Sequence, residues 1–367
     1  MPAEYRPAIG TPVSHLDTPC LVVDLDAFEH NLNIIADTYR DSVCKMRQHT
    51  KNIKSPALAH KQIRAGGTLN GVCTAKVSEA EVMVQGGVHD ILIPNNVVTR
   101  EKIARLCALA KEGDMKVCVD NTENVRTISD VAEEWGVKIG VLIEVDTSMG
   151  RGGIRNVAQG VEIAKLASKL PGVAFKGVMS HQSVQGKPDR ETRVIEAHKW
   201  IKKVMVVKDA IEAEGIPVEM VSSGETFCYD ICTEIPGVTE VEGGTYALMS
   251  TGFSYMTEFK IAGKVMGTIV STPRPGVAIG DVGVHAMAGP SGMVPTVDGL
   301  PVVTVESIHD DHIVLKTDGK TQLVIGDKFM LLPAHQDMLV NRWDQFIAFR
   351  NGKVEEVWDI PGRGCFH

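Results

Sequence analysis

A lysine, two glycine-rich turns, an arginine among glycines and a histidine close to an aspartate carry the chemistry that can be read from this chain. The run Arg47-Gln48-His49-Thr50-Lys51 closes a short apolar stretch. A lysine at such a point, partly desolvated, is a competent amine nucleophile, although the local sequence alone favours a solvated surface lysine. The segments Ser222-Ser223-Gly224-Glu225-Thr226 and Gly243-Gly244-Thr245-Tyr246 offer backbone N–H groups that can cradle a phosphate without net positive charge. Each is also readable as a plain turn. In EVDTSMGRGG, running from Glu144 to Gly153, glycines let the backbone approach a ligand closely and hold the Arg151 guanidinium. That group can bond a cofactor oxygen or clamp its own loop. In Pro333-Ala334-His335-Gln336-Asp337, an extended backbone would put His335 and Asp337 on one face as a two-ligand arm for a divalent metal. Manganese, magnesium and zinc all suit that pair.

The elements that must position these groups follow from hydrophobic periodicity. Short β-branched runs at 43–48, 71–75, 90–94, 116–120, 141–146, 176–181, 218–222 and 240–247 read as strands. Amphipathic stretches at 78–87, 100–112, 123–135, 157–168 and 190–214 read as helices, punctuated by Gly86-Gly87 and by Asp120-Asn121. This alternation predicts a parallel (β/α)8 barrel. A doubly wound sheet is the alternative, but no GxGxxG loop follows the first strand. In a barrel, Lys51 stands at the end of the first strand and the glycine turns at the ends of the seventh and eighth. An amine facing a phosphate cup describes pyridoxal 5'-phosphate held as a Schiff base. Beyond residue 253 the chain turns strand-rich, with turns at Asp318-Gly319 and Asn351-Gly352, which predicts an antiparallel β domain. The expected division is a barrel over 26–252 and a β domain over 1–25 and 253–367 that carries the metal pair.

Composition narrows the function classes. In 367 residues, 38 basic against 46 acidic side chains give a net charge of -8, unsuited to coating nucleic acid or an anionic membrane. The start MPAEYRPAIG lacks a signal-peptide core, and no apolar run approaches the ~18 residues of a membrane span. The 8 cysteines form no CxxC pair and lie mostly in apolar runs. They read as reduced thiols of a cytoplasmic protein.

The ordered set of motifs resembles one family. Lys51 in RQHTKNIKSPA resembles the RPHxKTHK lysine of the D-threonine aldolase and D-serine dehydratase family, which includes the 3-hydroxy-D-aspartate aldolases and has the alanine racemase type of fold. TPCLVVDLDAFEHNL, VSEAEVMVQGGVHDILIPN, EVDTSMGRGG, VSSGET, TEVEGGTYALM and HQD line up in the same order, from about Thr18 to Arg363. The resemblance implies that Lys51 is the Schiff-base lysine and that Arg151 contacts the cofactor ring oxygen. It places the phosphate near Ser223, Gly224, Thr226, Gly244, Thr245 and Tyr246, and makes His335 and Asp337 the metal ligands. In this family HxD accompanies the aldolases and HxC the zinc-dependent dehydratases, so Asp337 points to aldol cleavage.

The chain also departs from the family pattern. Gln48 replaces a proline and Ile53 a histidine; His181 stands at a tyrosine position, and Lys187 at that of a histidine implicated in proton transfer. Ser223, Glu225 and Phe227 replace phosphate-loop glycines. His181 is the candidate acid/base group, with a packed structural histidine as the alternative.

The expected reaction is cleavage of a β-hydroxy-D-amino acid to glycine and an aldehyde. The alternative is dehydration of D-serine or D-threonine to a 2-oxo acid and ammonia. A non-catalytic pyridoxal phosphate-binding protein would share the barrel but lack the second domain. The resemblance further implies a head-to-tail homodimer, a small-molecule substrate, and a site-adjacent segment GDVGVHAMAGPSG carrying Asp281 and His285.

Overall fold

The computed structural model describes residues 5–181, 184–288 and 293–367. Its contacts divide the chain into two units. One comprises Met1–Leu32, Asn52–Ser55 and Thr245–Gly364, the other Asn33–Lys51, Pro56–Gly244 and Cys365–His367. The division therefore runs through the first long helix and directly after Lys51, places that no composition shift marks.

Strand β1 (Cys20–Asp24) leads into helix α1 (Leu25–Tyr39). Then β2 (Lys45–His49), β3 (Thr68–Cys73), β4 (Asp90–Ile93), β5 (Asp114–Val119), β6 (Ile139–Glu144), β7 (Val173–Ser180), β8 (Met220–Ser223) and β9 (Glu240–Gly243) close into a parallel barrel in chain order. The seam pairs β2 with β9, Lys45 opposite Glu240 and Gln48 opposite Gly243. Strands covered on both faces need near-continuous apolar runs, and β6 (IGVLIE) is buried along its whole length. Cys73, Leu92, Cys118, Leu142 and Met179 pack together from five successive strands, β3 to β7.

Helices α2 (Pro56–Ala65), α3 (Val77–Gln85), α4 (Arg100–Leu109), α5 (Thr122–Trp135), α6 (Val157–Ala167), α7 (Arg190–Ala213) and α8 (Tyr229–Cys232) connect the strands. Their starts are written in the sequence. Asn121 and Asp189 cap α5 and α7 through their side chains, and Asn156 with Gln159 forms a full capping box on α6. Helix α2 escapes the periodicity reading because few apolar residues mark it. Pro56 at its first position was the available signal.

In the other unit, the strands are β10 (Gly263–Arg274), β11 (Val277–Gly280), β12 (Thr296–Val297), β13 (Thr304–Ile308), β14 (Ile313–Lys316), β15 (Lys328–Leu332), β16 (Gln345–Arg350) and β17 (Lys353–Asp359). They run in the order β13-β14-β11-β10-β1-β16-β17, with β15 on β10 and β12. β1 is antiparallel to β10 but parallel to β16, so the sheet is mixed where an antiparallel one was expected. The N-terminal segment inserts between two strands of the C-terminal half, antiparallel to one and parallel to the other. Asn351 and Gly352, both at positive φ, make the tight turn between β16 and β17. Val13, Leu16, Cys20, Val22, Met266, Ile347 and Val354 form the core beneath this sheet. Two short helices, α9 (Val284–Met287) and α10 (Gln336–Val340), complete the unit. Among the described residues no helix is long and apolar enough to cross a membrane, and no disulfide joins any of the cysteines.

Candidate active site

The chemistry gathers where the barrel strands end. After β2 the chain makes one helical turn, Thr50–Asn52, so Lys51 lies just past the strand rather than in it. Thr50 Oγ1 donates to the Cys73 carbonyl at 2.9 Å and ties this turn to β3. Gln48, buried where the family has proline, donates to the Ala59 carbonyl at 3.0 Å and holds α2 against the strand. Ile53, in place of a histidine, is fully buried.

Beyond β7, the His181 carbonyl accepts from Thr147 Oγ1 at 3.3 Å. Its Nε2 is 3.9 Å from Glu225 Oε2, and the side chain is 27% exposed. Burial, with Lys51 and Arg151 adding to it, pushes the imidazole down to about 3. Glu225 Oε1 accepts N–H groups of Val184 at 2.8 Å and Gln185 at 3.0 Å. Burial pushes its carboxyl up to about 7, against the pull of those N–H groups and of Lys51. Lys187 is exposed, and its carbonyl accepts from Arg193 at 2.9 Å.

The loop after β6 settles which arginine clamps it. Arg155 Nη1 donates to the Gly152 carbonyl at 3.0 Å and Nη2 to that of Arg151 at 3.1 Å. Arg151 itself points elsewhere, with Nη2 3.8 Å from Glu144 Oε1 and its side chain 53% exposed. Burial raises the Glu144 carboxyl, and Arg151 opposes that rise.

The glycines of the two turns pack closely against neighbouring side chains. Gly224 has φ +122°, and a Cβ there would come within 2.7 Å of Cys232 Sγ. At Gly243 a Cβ would meet Met46 Sδ at 2.8 Å and crowd Thr226 Oγ1 at 3.3 Å. Thr226 Oγ1 is buried, with no hydrogen-bond partner among the described residues. A buried hydroxyl left without a partner costs free energy, and a phosphate oxygen would supply the acceptor. Ser223 is buried, its Oγ 2.8 Å from Ser180 Oγ. These residues fit a phosphate-bearing cofactor. Gly244 ends the barrel unit. Thr245 and Tyr246 belong to a short helical turn, Thr245–Ala247, where strand was expected. The Tyr246 ring is fully buried, 6.3 Å from that of Phe259.

His335 and Asp337, the expected metal pair, belong to the other unit. The segment is not extended: His335 is the last extended residue, and Asp337 lies in the first turn of α10. The shared face expected of a strand is therefore absent. What the structure provides instead is a carboxylate fixed from the side, since Asn52 Nδ2 donates to Asp337 Oδ1. His335 Nδ1 is buried without a partner among the described residues, and its ring sits 6.4 Å from Phe253. An orphaned imidazole nitrogen and an oriented carboxylate fit a divalent cation completed by further ligands. Among the described residues no group of three or more His, Cys, Asp or Glu surrounds such a position.

In the same unit, Asp281 accepts from Thr18 Oγ1 at 2.6 Å and Thr268 N at 2.7 Å, a fixed structural carboxylate. His285 is exposed and 3.0 Å from Asp311. The last four residues of GDVGVHAMAGPSG lie outside the described residues.

Sequence reading missed three residues with roles here: Glu144, Glu242 and Asn52. Glu242 is buried in the barrel, bonded to Ser222 Oγ at 2.8 Å, and burial pushes it up to about 7. The signal was available: Glu240 and Glu242 alternate in a strand that should be apolar on both faces.

The family model for the alanine racemase N-terminal domain matches residues 23–251, and a model for a serine dehydratase domain matches 262–349. A 3-hydroxy-D-aspartate aldolase of Paracoccus denitrificans (strain Pd 1222) is 35% identical over 97% of this chain and 94% of its own. The chain belongs to the D-threonine aldolase and D-serine dehydratase family. A D-threonine aldolase of Arthrobacter sp. is 33% identical over 97% of this chain and 95% of its own. The crystal structure of D-threonine aldolase from Filomicrobium marinum superposes with a TM-score of 0.93 at 31% identity, covering 98% of this chain and 100% of that one. As a member of this aldolase family the chain is a pyridoxal phosphate-dependent lyase with the alanine racemase-like architecture, acting on a small amino acid.

Proposed function

We propose that this enzyme cleaves β-hydroxy-D-amino acids of the D-threonine or 3-hydroxy-D-aspartate type to glycine and an aldehyde, assisted by a divalent metal. The observation that carries this reading is the full-length likeness to aldolases, supported by the buried Thr226 hydroxyl that has no partner among the described residues. Asp337, which the resemblance ties to the aldolases, supports it. Lys51 would hold the cofactor covalently and Arg151 would bond its ring oxygen. Ser223, Gly224, Thr226, Gly244, Thr245 and Tyr246 would hold its phosphate. When bound, the cofactor supplies an electron sink for the bond broken at the α-carbon. A divalent ion on His335 and Asp337 would orient the β-hydroxyl and make it more acidic.

His181, uncharged across the neutral range, has a ring nitrogen able to accept the hydroxyl proton. Buried Glu144 lies beside the Arg151 guanidinium, and the Glu225 carboxyl holds the backbone at Val184 and Gln185. We assign the cofactor chemistry to 26–252 and the metal to the segments 1–25 and 253–367. The enzyme would work as a cytoplasmic homodimer, a state that light scattering on the purified protein measures.

Incubation with pyridoxal phosphate and manganese, separately with D-threonine, D-serine and 3-hydroxy-D-aspartate, tests the reading. Glycine and aldehyde that disappear with chelator and in Lys51→Ala are expected. The serine dehydratase domain match over 262–349 favours one second reading, dehydration. A 2-oxo acid and ammonia would establish it and overturn aldol cleavage.

A further inference from the structure

A cavity that the mechanism does not use lies between the end of β6, the start of α6 and one face of α7. Its volume is about 280 Å³, close to the ~300 Å³ at which ligand pockets begin. Val145, Ile154 and Val207, all buried, form an apolar floor, and Val206, 48% exposed, forms an edge. Around them stand Arg155, Lys199, Lys202 and Lys203. No residue assigned above to cofactor, metal or proton transfer lines it.

The cationic rim is written in the helix sequence. Lys199, Lys202, Lys203, Val206 and Val207 are spaced i, i+3, i+4, i+7 and i+8, which puts them on one face of α7. No acidic residue stands between Glu196 and Asp209. Like charges at i, i+4 repel, so this face carries a cost that a bound anion would remove. Two carboxylates pair with the four cations: Asp146, 3.4 Å from Arg155, and Glu196, 3.5 Å from Lys199. Lys202 has no ion pair or hydrogen bond among the described residues. In a chain of net charge -8, surplus positive charge around an apolar floor complements a ligand with an anionic head and an apolar body.

The same groove touches the loop that carries Arg151. Val145 and Ile154 bridge across the base of that loop. Arg155 donates to the Gly152 and Arg151 carbonyls, and Lys203 to that of Asp146 at 3.0 Å. Two of the four cations available to an anion therefore already hold the loop.

We propose that this groove is an accessory site for a small carboxylate with an aliphatic body, and that the bound anion draws on Arg155 and Lys203 and so shifts the loop bearing Arg151. The binding stands apart from the aldolase reading; the effect on the cofactor rests on Arg151 as its ligand. By linkage, whatever factor the carboxylate applies to cofactor affinity, the cofactor applies to the carboxylate.

Calorimetric titration of the holoenzyme with butanoate, pentanoate and hexanoate tests the site, with hexanol and hexylamine as controls. Affinity should rise about fourfold for each added methylene, the worth of burying one CH₂. Lys199→Gln with Lys202→Gln should weaken hexanoate about 10- to 100-fold, the worth of bonds to a charged group, and hexanol should bind wild type as weakly. Hexylamine should not bind. Val206→Asn should flatten the trend with chain length. All these variants should keep wild-type turnover in the absence of hexanoate, and Lys51→Ala should bind hexanoate as wild type does. Hexanoate should also change the circular dichroism of the cofactor band in wild type and leave it unchanged in the double lysine variant.

Equal binding of all three acids, lost on adding salt, would overturn the site and leave a solvated lysine face. Preference for an oligoglutamate peptide over hexanoate would overturn it in favour of an acidic partner. Binding with an unmoved cofactor band would overturn the link to Arg151. Intact binding with neither set of products sinks the aldolase reading and leaves the site.

Discussion

The two ends of the barrel hold buried charge on opposite terms. Where the strands begin, Arg47 (3% exposed) meets Glu240 at 2.9 Å and Asp90 at 3.0 Å. Lys116 meets Asp90 at 2.8 Å and Asp114 at 2.7 Å. Attraction wins over desolvation there, holding Arg47 above and Asp90 below their ordinary ranges. Where the strands end, Glu225 and His181 stand 3.9 Å apart, beyond hydrogen-bond reach, and burial drives both toward their uncharged forms. Thr226 Oγ1 has no partner at all among the described residues. The first end is closed and serves shape. The second leaves polar groups short of partners, the condition in which a ligand gains most by supplying them.

The largest expected effect at the open end is that of Lys51→Ala. It should abolish both the visible cofactor band and product formation while leaving the circular dichroism of the fold intact. The closed end should respond in the opposite way. Arg47→Met strands the Glu240 charge, and breaking a buried pair from one side costs about 3–5 kcal/mol. The urea midpoint should fall accordingly, with turnover per folded molecule unchanged. If Arg47→Met instead lost turnover at unchanged stability, the division between the two ends would be wrong.

This division was only half legible in the sequence. The eight barrel strands, Lys51 at the first of them and the glycine turns at the last two follow from alternation and punctuation, which are local. The pairing of Arg47 with Glu240 depends on closure between β2 and β9, almost the whole barrel apart in the chain. Nothing near either residue announces it. The same holds for Glu225 and His181, which are brought together by strand register. The HxD pair differs in its element alone: its two-residue spacing predicts a shared face only on an extended chain, but the chain enters α10 between the two side chains. Asn52, beside Lys51 in sequence, supplies the contact that orients Asp337. Side-chain partners so distant in sequence leave no periodic trace.

Thr226→Val sharpens the contrast at a smaller scale. Removing a hydroxyl that has no partner in the described structure should leave the stability of the cofactor-free protein unchanged or slightly raised. The same change should weaken cofactor binding about 10- to 100-fold, since a bond to a charged group contributes about 1.5–3 kcal/mol. Equilibrium dialysis of pyridoxal phosphate measures one side and a melting curve of the cofactor-free protein the other. Loss of stability in place of affinity would mean that the hydroxyl serves the fold.

The smallest effect separates Glu242 from the charged layer around it. It is buried, it accepts from Ser222 Oγ at 2.8 Å, and its folded value is about 7 against an ordinary 4.5. Between those values the unfolded chain ionises Glu242 while the folded barrel keeps it protonated, so the unfolded state binds fewer protons and stability falls as pH rises. Below about 4.5 the contribution is fully present; above about 7 it is lost. The slope from one such group is about 1.4 kcal/mol per pH unit. Glu225, raised to about the same value, adds a second. Glu242→Gln should therefore remove about one of the two slopes from a plot of unfolding free energy against pH, and leave Arg47 with its partners. A plot unchanged by Glu242→Gln would mean that this carboxylate is already ionised and paired, which would make the closed end of the barrel extend further up its axis than the geometry indicates.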